Sequence, residues 1–412
     1  MSGLTTKNTK GAKGRMFSGF SFVPFVLSVV SLFPLLAFAG EIEHDAALYL
    51  SNNWLAPRSD SLLNPGNRLA QLPQQTQLLE ARLNLSLEDG PLKIAARPML
   101  RSSRMQGVGG TQRLDEAWLA QGSARVRLAP QWSAAVGREV VHWGPGQFRS
   151  PSNPFYFDNA RSDPLRELTG VDMVRIAYTP DVRHSLQLLR VKQSAVAPTG
   201  WLLRAEQRGE SWAIGAAAYD NGQTSPFYGA WGQSNVGDAL LLYGELGSYR
   251  QAVALASPAN AALPFSLRSP SPRRSVLLAG AAWTFESGEN LGIELLHNGH
   301  GYRRAESAAY FDRAAASPAA AGMALGLMPP LLNRRYLQLY AQSNLMQEGG
   351  YWRLMATRNL DDGSWQLAGY GETTLNERLN LYLLASQPQG GNRQELSALY
   401  RASLTLGVKA VM

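Results

Sequence analysis

From residue 79 onward, apolar and polar side chains alternate with a period of two. Leu79, Ala81, Leu83, Leu85 and Leu87 occupy the odd positions, and Glu80, Arg82, Asn84, Ser86 and Glu88 the even ones. Alternation of this kind predicts a strand with one apolar and one polar face. Asp89-Gly90-Pro91 is a turn signal. The next strand sets Leu92, Ile94, Ala96, Pro98 and Leu100 against Lys93, Arg97 and Arg101. At 117–128, Trp118, Ala120, Ala124, Val126 and Leu128 oppose Gln121, Ser123, Arg125 and Arg127. Trp201, Leu203 and Ala205 oppose Arg204, Glu206 and Arg208, and Trp352, Leu354 and Ala356 oppose Arg353 and Thr357. The pattern continues to the last residues, where Leu404, Leu406, Val408, Ala410 and Met412 alternate with Ser403, Thr405, Gly407, Lys409 and Val411.

About sixteen such strands are legible, and 46–51 or 226–234 could raise the number to eighteen, so the expected range is 16–18, a porin-sized set. The fold class they predict is all-β: a transmembrane, antiparallel, up-and-down β-barrel with an inward-folded loop. A soluble β-sandwich also alternates, but three features favour the barrel. Trp132, Trp201, Trp212, Trp352 and Trp365 recur near strand starts, as interfacial aromatic girdles require. Short turns (89–91, 129–131, 361–363) contrast with long connections (143–170, 250–274, 301–333), as between the two ends of an outer-membrane barrel. A final strand is placed to close against the first. The expected organisation is a signal peptide over 1–39, a periplasmic or lumen-lying segment over 40–77, and the barrel over 78–412. An Ala-rich stretch at 305–326 predicts a short helix in an outer loop.

The first residues change the compartment. Lys7, Lys10, Lys13 and Arg15 form a basic start with no acidic residue, Met16–Leu36 is largely apolar, and Ala37-Phe38-Ala39 is an A-x-A cleavage site. The run is long enough to serve as a membrane anchor, but Pro24 and Pro34 and the A-x-A favour cleavage. Without this segment 35 basic residues face 31 acidic ones, too even a balance to imply a nucleic-acid partner. Of the basic residues that follow it, only Lys93, Lys192 and Lys409 are lysines. Arginine offers a planar fork suited to carboxylate and phosphate. The chain has no cysteine, so neither a disulfide framework nor a thiolate metal site is available.

The stretch 137–155, GREVVHWGPGQFRSPSNPF, breaks its strand at Trp143-Gly144-Pro145-Gly146. Glycine permits positive φ and close backbone approach, and proline removes a donor. The residues that follow, through Arg149, Asn153, Pro154, Phe155, Asp158, Arg161, Asp163, Arg166 and Glu167, are awkward in lipid and too aromatic for a free loop. Folding into the lumen suits them. The stretch, with GVDMVRIAY after it, resembles the strand-and-loop motif of Gram-negative outer-membrane barrels: porins, the capsule assembly protein Wzi and the alginate-export type. The resemblance covers residues 137–178. It implies an outer-membrane protein handling anionic polysaccharide or small solutes, with Trp143, Gly144, Gly146, Asn153, Pro154 and Phe155 in the shared motif.

Candidate lumen or substrate-binding residues are Arg149, Asp158, Arg161, Asp163, Arg166, Arg125, Arg127 and Arg82. Rings of arginine select anions. The same arginines could instead pair with Glu80, Glu139 or Glu206 and hold the wall together. Tyr340, Tyr370 and Tyr382 are candidate sugar-stacking surfaces. No G-x-S-x-G, H-E-x-x-H or P-loop motif is present, and His297 and His300 lack an obvious third ligand, so neither an enzyme, a metal nor a cofactor is expected. The expected function is a porin-like channel passing or exporting anionic or carbohydrate solutes. The alternative is a plugged barrel of the capsule assembly type that binds exopolysaccharide. Expected partners are outer-membrane lipid, the solute, the barrel-assembly machinery and, as an option, further copies of the chain.

Overall fold

A computed structural model of the chain describes residues 41–344 and 349–412. The expected signal peptide, 1–39, lies outside the described residues. The strands are β1 (Glu41–Pro57), β2 (Gln75–Asp89), β3 (Leu92–Gly107), β4 (Gly110–Ala129), β5 (Trp132–Glu139), β6 (Val171–Tyr178), β7 (His184–Val191), β8 (Gly200–Arg208), β9 (Trp212–Asp220), β10 (Phe227–Val236), β11 (Leu240–Tyr249), β12 (Ala254–Ala256), β13 (Ser266–Arg268), β14 (Arg274–Thr284), β15 (Asn290–Asn298), β16 (Arg335–Gln342), β17 (Gly350–Asn359), β18 (Trp365–Asn376), β19 (Leu379–Gln389) and β20 (Tyr400–Val411). All but β12 and β13, which form a small hairpin of their own, belong to one 18-stranded antiparallel sheet. That sheet closes on itself. β20 pairs with β19 on one side and with β1 on the other, from Ala47↔Val411 to Pro57↔Tyr400. Closure leaves no row of unpaired amides and carbonyls facing hydrocarbon, where each would cost several kcal/mol.

Residues 41–57, expected within a segment outside the wall save for the added strand at 46–51, are its first strand, and 58–74 form a connection at the end where β1 finishes. The polar composition of this region hid the strand's full length: Asn52 and Asn53 sit within β1, with Asn53 donating to Thr405 at 2.7 Å. Strand 226–234 is likewise present, as β10. The Ala-rich stretch forms two helices, α1 (Arg304–Ala316) and α2 (Pro318–Gly326).

Over most of the wall alternation sorts the faces as expected, although Ala81, Leu83, Leu87 and Leu100 of the apolar face expected on β2 and β3 are buried. Val136, Val174, Leu188, Leu203, Leu295, Leu354 and Leu367 are all at least 43% exposed and point outward. The Trp residues mark two rims. Trp132, Trp212, Trp283 and Trp352 lie at the ends joined by the short turns, and Trp54, Trp201 and Trp365 lie at the opposite ends; all are exposed. Trp201 faces Asp220, at the far end of the strand that begins with Trp212. At about 3.3 Å per residue and a tilt of roughly 40°, the band between the rims is about 20 Å tall, close to the height of a lipid-facing belt.

Two expectations are corrected by strand parity and register. The turn at 361–363 lies at the same end as the long connections, because β17 runs the same way as β5 and β11; its brevity is local. Trp118, expected among the outward residues, instead stacks under the Arg101 guanidinium at 4.9 Å. A register shift between Arg97 and Pro98 inserts an extra residue in β4, so the faces exchange and Leu119 takes the outward place at 40% exposure.

At the long-connection end the loops share a core. Leu63, Leu255, Tyr302, Tyr310, Phe311, Ala324, Leu332 and Ala398 pack together, drawn from 58–74, the β11–β14 connection, 299–334 with its helices, and 390–399. The short turns at the other end are acidic among the described residues: Asp89, Asp181, Glu210, Asp238, Glu286, Glu289 and Glu377 stand against Arg183, Arg208 and Arg378.

Candidate functional site

The connection 140–170 folds inward, and two wall carboxylates hold it. Glu245 on β11 and Glu294 on β15 point into the barrel and are 4% and 1% exposed. Glu245 accepts from the Gly146 amide (2.7 Å), the Ser150 hydroxyl (2.8 Å), and the Ser152 amide and hydroxyl (3.2 and 2.7 Å). Glu294 accepts from the amides of Gln147 and Phe148, both at 2.6 Å, and from the Tyr243 hydroxyl at 2.8 Å. Sequence reasoning did not single out these two. The available signal was an acid isolated among glycine, leucine and tyrosine in otherwise apolar strands, at Gly244-Glu245-Leu246 and Ile293-Glu294-Leu295.

The glycines of the motif now have a cause. Gly144 has φ +83, and a Cβ there would stand 2.4 Å from a Glu245 oxygen. A Cβ at Gly146 would lie 2.3 Å from the Arg149 carbonyl oxygen. The wall makes room too: a Cβ at Gly229 would meet the Ser152 carbonyl oxygen at 2.2 Å, and one at Gly247 the Pro151 carbonyl oxygen at 2.0 Å. Trp143 donates to the Ser152 carbonyl at 3.1 Å, and the Asn153 side chain to Val141 O at 3.0 Å while its oxygen caps the amides of Phe155 and Tyr156. Phe155 meets Tyr219 edge-on at 5.1 Å. Pro154 is partly buried beside these contacts.

The candidate charged residues divide. Arg161 donates to the carbonyls of Gly146 (2.8 Å) and Gly144 (3.0 Å), so it braces the loop. Burial pulls its proton affinity down, and Glu245 and Glu294 act in the opposite sense. Arg149 lies over the Phe148 ring at 4.5 Å, 3.9 Å from Asp158. Arg166 pairs with Asp158 at 2.9 Å. Burial would raise Asp158, but Arg149 and Arg166 prevail and hold it below its ordinary value; Asp163, buried without such a pair, is raised. Arg82 donates to Leu165 O at 2.5 Å and to Glu80 at 2.7 Å. Thus 149, 158, 161, 163, 166 and 82 are gathered on or against the loop. Arg125 and Arg127 stand apart on β4. Arg125 is 3.5 Å from Glu139, and Arg127 has no salt bridge among the described residues.

Two polar cavities flank the loop. One, about 470 Å³, is lined by His142, Trp143, Arg204, Glu206, Trp231 and Gln233. Its Arg204 guanidinium sits 5.3 Å from both Trp rings and pairs with Glu206. Burial, reinforced by Arg161, lowers His142 to about 4, so the imidazole is neutral near pH 7. The other, about 710 Å³, is lined by Asp45, Asn84, Arg97, Arg125, Glu139 and Arg175. Most of these arginines are paired, Arg175 to Glu139 at 2.9 Å and Arg97 to Glu167 at 2.5 Å, so the lining combines donors and acceptors. Tyr340 lies near Arg353, Tyr370 bonds Glu372, and Tyr382 tilts against Tyr49. His300 stacks on Tyr249 at 4.3 Å.

No protein family and no curated protein matches the chain by sequence. Solved structures of Gram-negative outer-membrane porins do match it in shape. OccK7 (OpdD) of Pseudomonas aeruginosa superposes with a TM-score of 0.54 at 12% identity, over 91% of this chain and 99% of that one. OccK11 (OpdR) of the same organism gives 0.52 at 13% identity, over 90% and 96%. OccAB1 of Acinetobacter baumannii gives 0.54 at 8%, over 90% and 96%. The likeness is one of fold. Of the types that the 137–178 motif suggested, these structures are porins, and none carries the name of the Wzi or alginate-export type.

Proposed function

We propose that the chain is a porin-like channel of a Gram-negative outer membrane, exported by a cleaved signal peptide, that passes anionic or carbohydrate solutes. The observation that carries this reading is the joint one of an outward apolar belt and an inward loop, fixed to the far wall, with Arg-bearing polar cavities on its flanks. Guanidinium groups on a solute's path replace part of its hydration, and paired acids limit how tightly an anion is held. Trp143 and Trp231 add flat apolar surface against which a sugar ring can stack. The protein acts here as a passage and not as an enzyme, placed in the bilayer by the barrel-assembly machinery, alone or as an oligomer.

The test is single-channel recording of purified protein in planar bilayers under a salt gradient. Discrete steps with an anion-selective reversal potential support the reading. The shared loop core at the long-connection end favours a second reading, a plugged barrel that holds exopolysaccharide. A folded, heat-modifiable barrel that stays electrically silent and retains polysaccharide supports that one.

A further inference from the structure

One outward sector breaks the apolar belt with charge. Arg190 on β7 follows Leu186 and Leu188 on the outward face, both over 40% exposed. Its guanidinium lies 5.0 Å from the ring of Trp201, an exposed Trp of the long-connection rim, which is its register partner on β8. Lys192 follows at the end of β7, its amide donating to the Asp172 carbonyl at 2.8 Å. Asp172 shares the outward face with Val174 and is already taken by Arg138, in a bidentate pair at 2.7 and 2.9 Å. Asp220, on the other side of Trp201, accepts the Gly222 amide at 2.9 Å. Arg190 and Lys192 have no salt bridge among the described residues, and both are exposed.

We propose that this sector, Arg190 and Lys192 above Trp201, docks the phosphorylated headgroup of an outer-leaflet lipid. The height is right, since an aromatic rim marks the level where hydrocarbon gives way to headgroups. The side is right, because the opposite rim is acidic at its turns while these cations stand at the long-connection end. The chemistry is right as well: an exposed ammonium and guanidinium, neither in a salt bridge among the described residues, complement phosphate, and Lys192 acts only at longer range on Asp172. Acyl chains of the same lipid would lie along Leu186, Leu188 and Val174. The inference rests on the proposed orientation, with the long connections outward.

Nanodiscs of phosphatidylcholine doped with a bisphosphorylated diglucosamine lipid supply the probe, and native mass spectrometry counts the lipid retained. Arg190→Ser with Lys192→Ser should weaken retention by about thirty-fold, two cationic contacts of roughly five- to sixfold each. Arg190→Lys with Lys192→Arg should restore it, and the dephosphorylated lipid should bind the native chain no better than the double variant. Displacement by millimolar inorganic phosphate would identify a free-anion site and overturn the proposal. So would equal retention by the native and double-Ser chains. Orientation is checked separately, by labelling intact cells carrying Ala262→Cys, an exposed position in the β11–β14 connection, with a bulky membrane-impermeant maleimide: no labelling defeats the outward placement, whereas labelling with unchanged retention defeats the lipid site alone.

Discussion

The amide of Gly146 donates to a Glu245 oxygen 2.7 Å away, across 99 residues of chain and from one wall of the barrel to another. Glu245 takes four donors from the loop in all. Glu245→Ala removes their common acceptor and should cost roughly 3–5 kcal/mol of local stability. The barrel's own hydrogen-bond ladders are untouched, so the wall should stay folded. The expected outcome is a larger and noisier single-channel conductance, with new protease sensitivity between residues 144 and 152.

Gly144→Ala should give a milder form of the same behaviour. A Cβ there meets both an unfavourable φ and Glu245, worth roughly 1–3 kcal/mol of strain. Gly90, at φ +55 with open space around it, separates the two causes. If Gly90→Ala and Gly144→Ala shift thermal stability alike and leave conductance alike, contact with Glu245 is not what the glycine serves.

The arginines should part company under mutation. Arg127, exposed and without a salt bridge among the described residues, acts through its charge. Arg127→Ala should lower the anion-to-cation permeability ratio about twofold while leaving conductance nearly constant. Arg161 acts through the Gly144 and Gly146 carbonyls, so Arg161→Ala should change conductance and loop protease sensitivity more than selectivity. Reversal potentials with and without a gradient distinguish these outcomes.

Glu395, in the connection between β19 and β20, ties three segments of the long-connection end together. It accepts from the amides of Leu332 and Asn333, from the Tyr336 hydroxyl and from the Asn359 side chain. Burial pushes it up to about 7, from an ordinary 4.5, against the pull of those donors and with a further push from Asp362. A carboxyl raised on folding binds more protons when folded than when unfolded between those two values. The loop core is therefore most stable below about pH 4.5 on this account and loses that contribution as pH rises through 7. Protease resistance of 299–334 should fall between pH 5 and pH 8, and Glu395→Gln should flatten the profile.

How much of this was legible in the sequence follows from the range of each interaction. Period two is local, so the outward belt, a strand count of sixteen to eighteen and the turn at 89–91 could be read directly. Trp118 was misplaced because one extra residue in β4 leaves no mark in a hydrophobicity pattern. β1 was read only over 46–51, because Asn52 and Asn53 satisfy their amides across the seam with β20 and against β2, hundreds and tens of residues away. In the loop, Gly144-Pro145-Gly146 announced a close approach without naming its partner. Glu245 and Glu294 could be found only once the strands had been set around the circle. Arg161 read as a solute ligand because a guanidinium looks the same in sequence whether it faces an anion or a backbone carbonyl.

The seam between β1 and β20 joins Ala47 to Val411. Chain entropy opposes a contact across so many residues until nearly everything between them is ordered. Ladder bonds elsewhere can form between neighbours in sequence, but this one can form only last. Until it does, both margins of the sheet are adhesive, and any helper that escorts the polypeptide must cover those two margins at once and release them together.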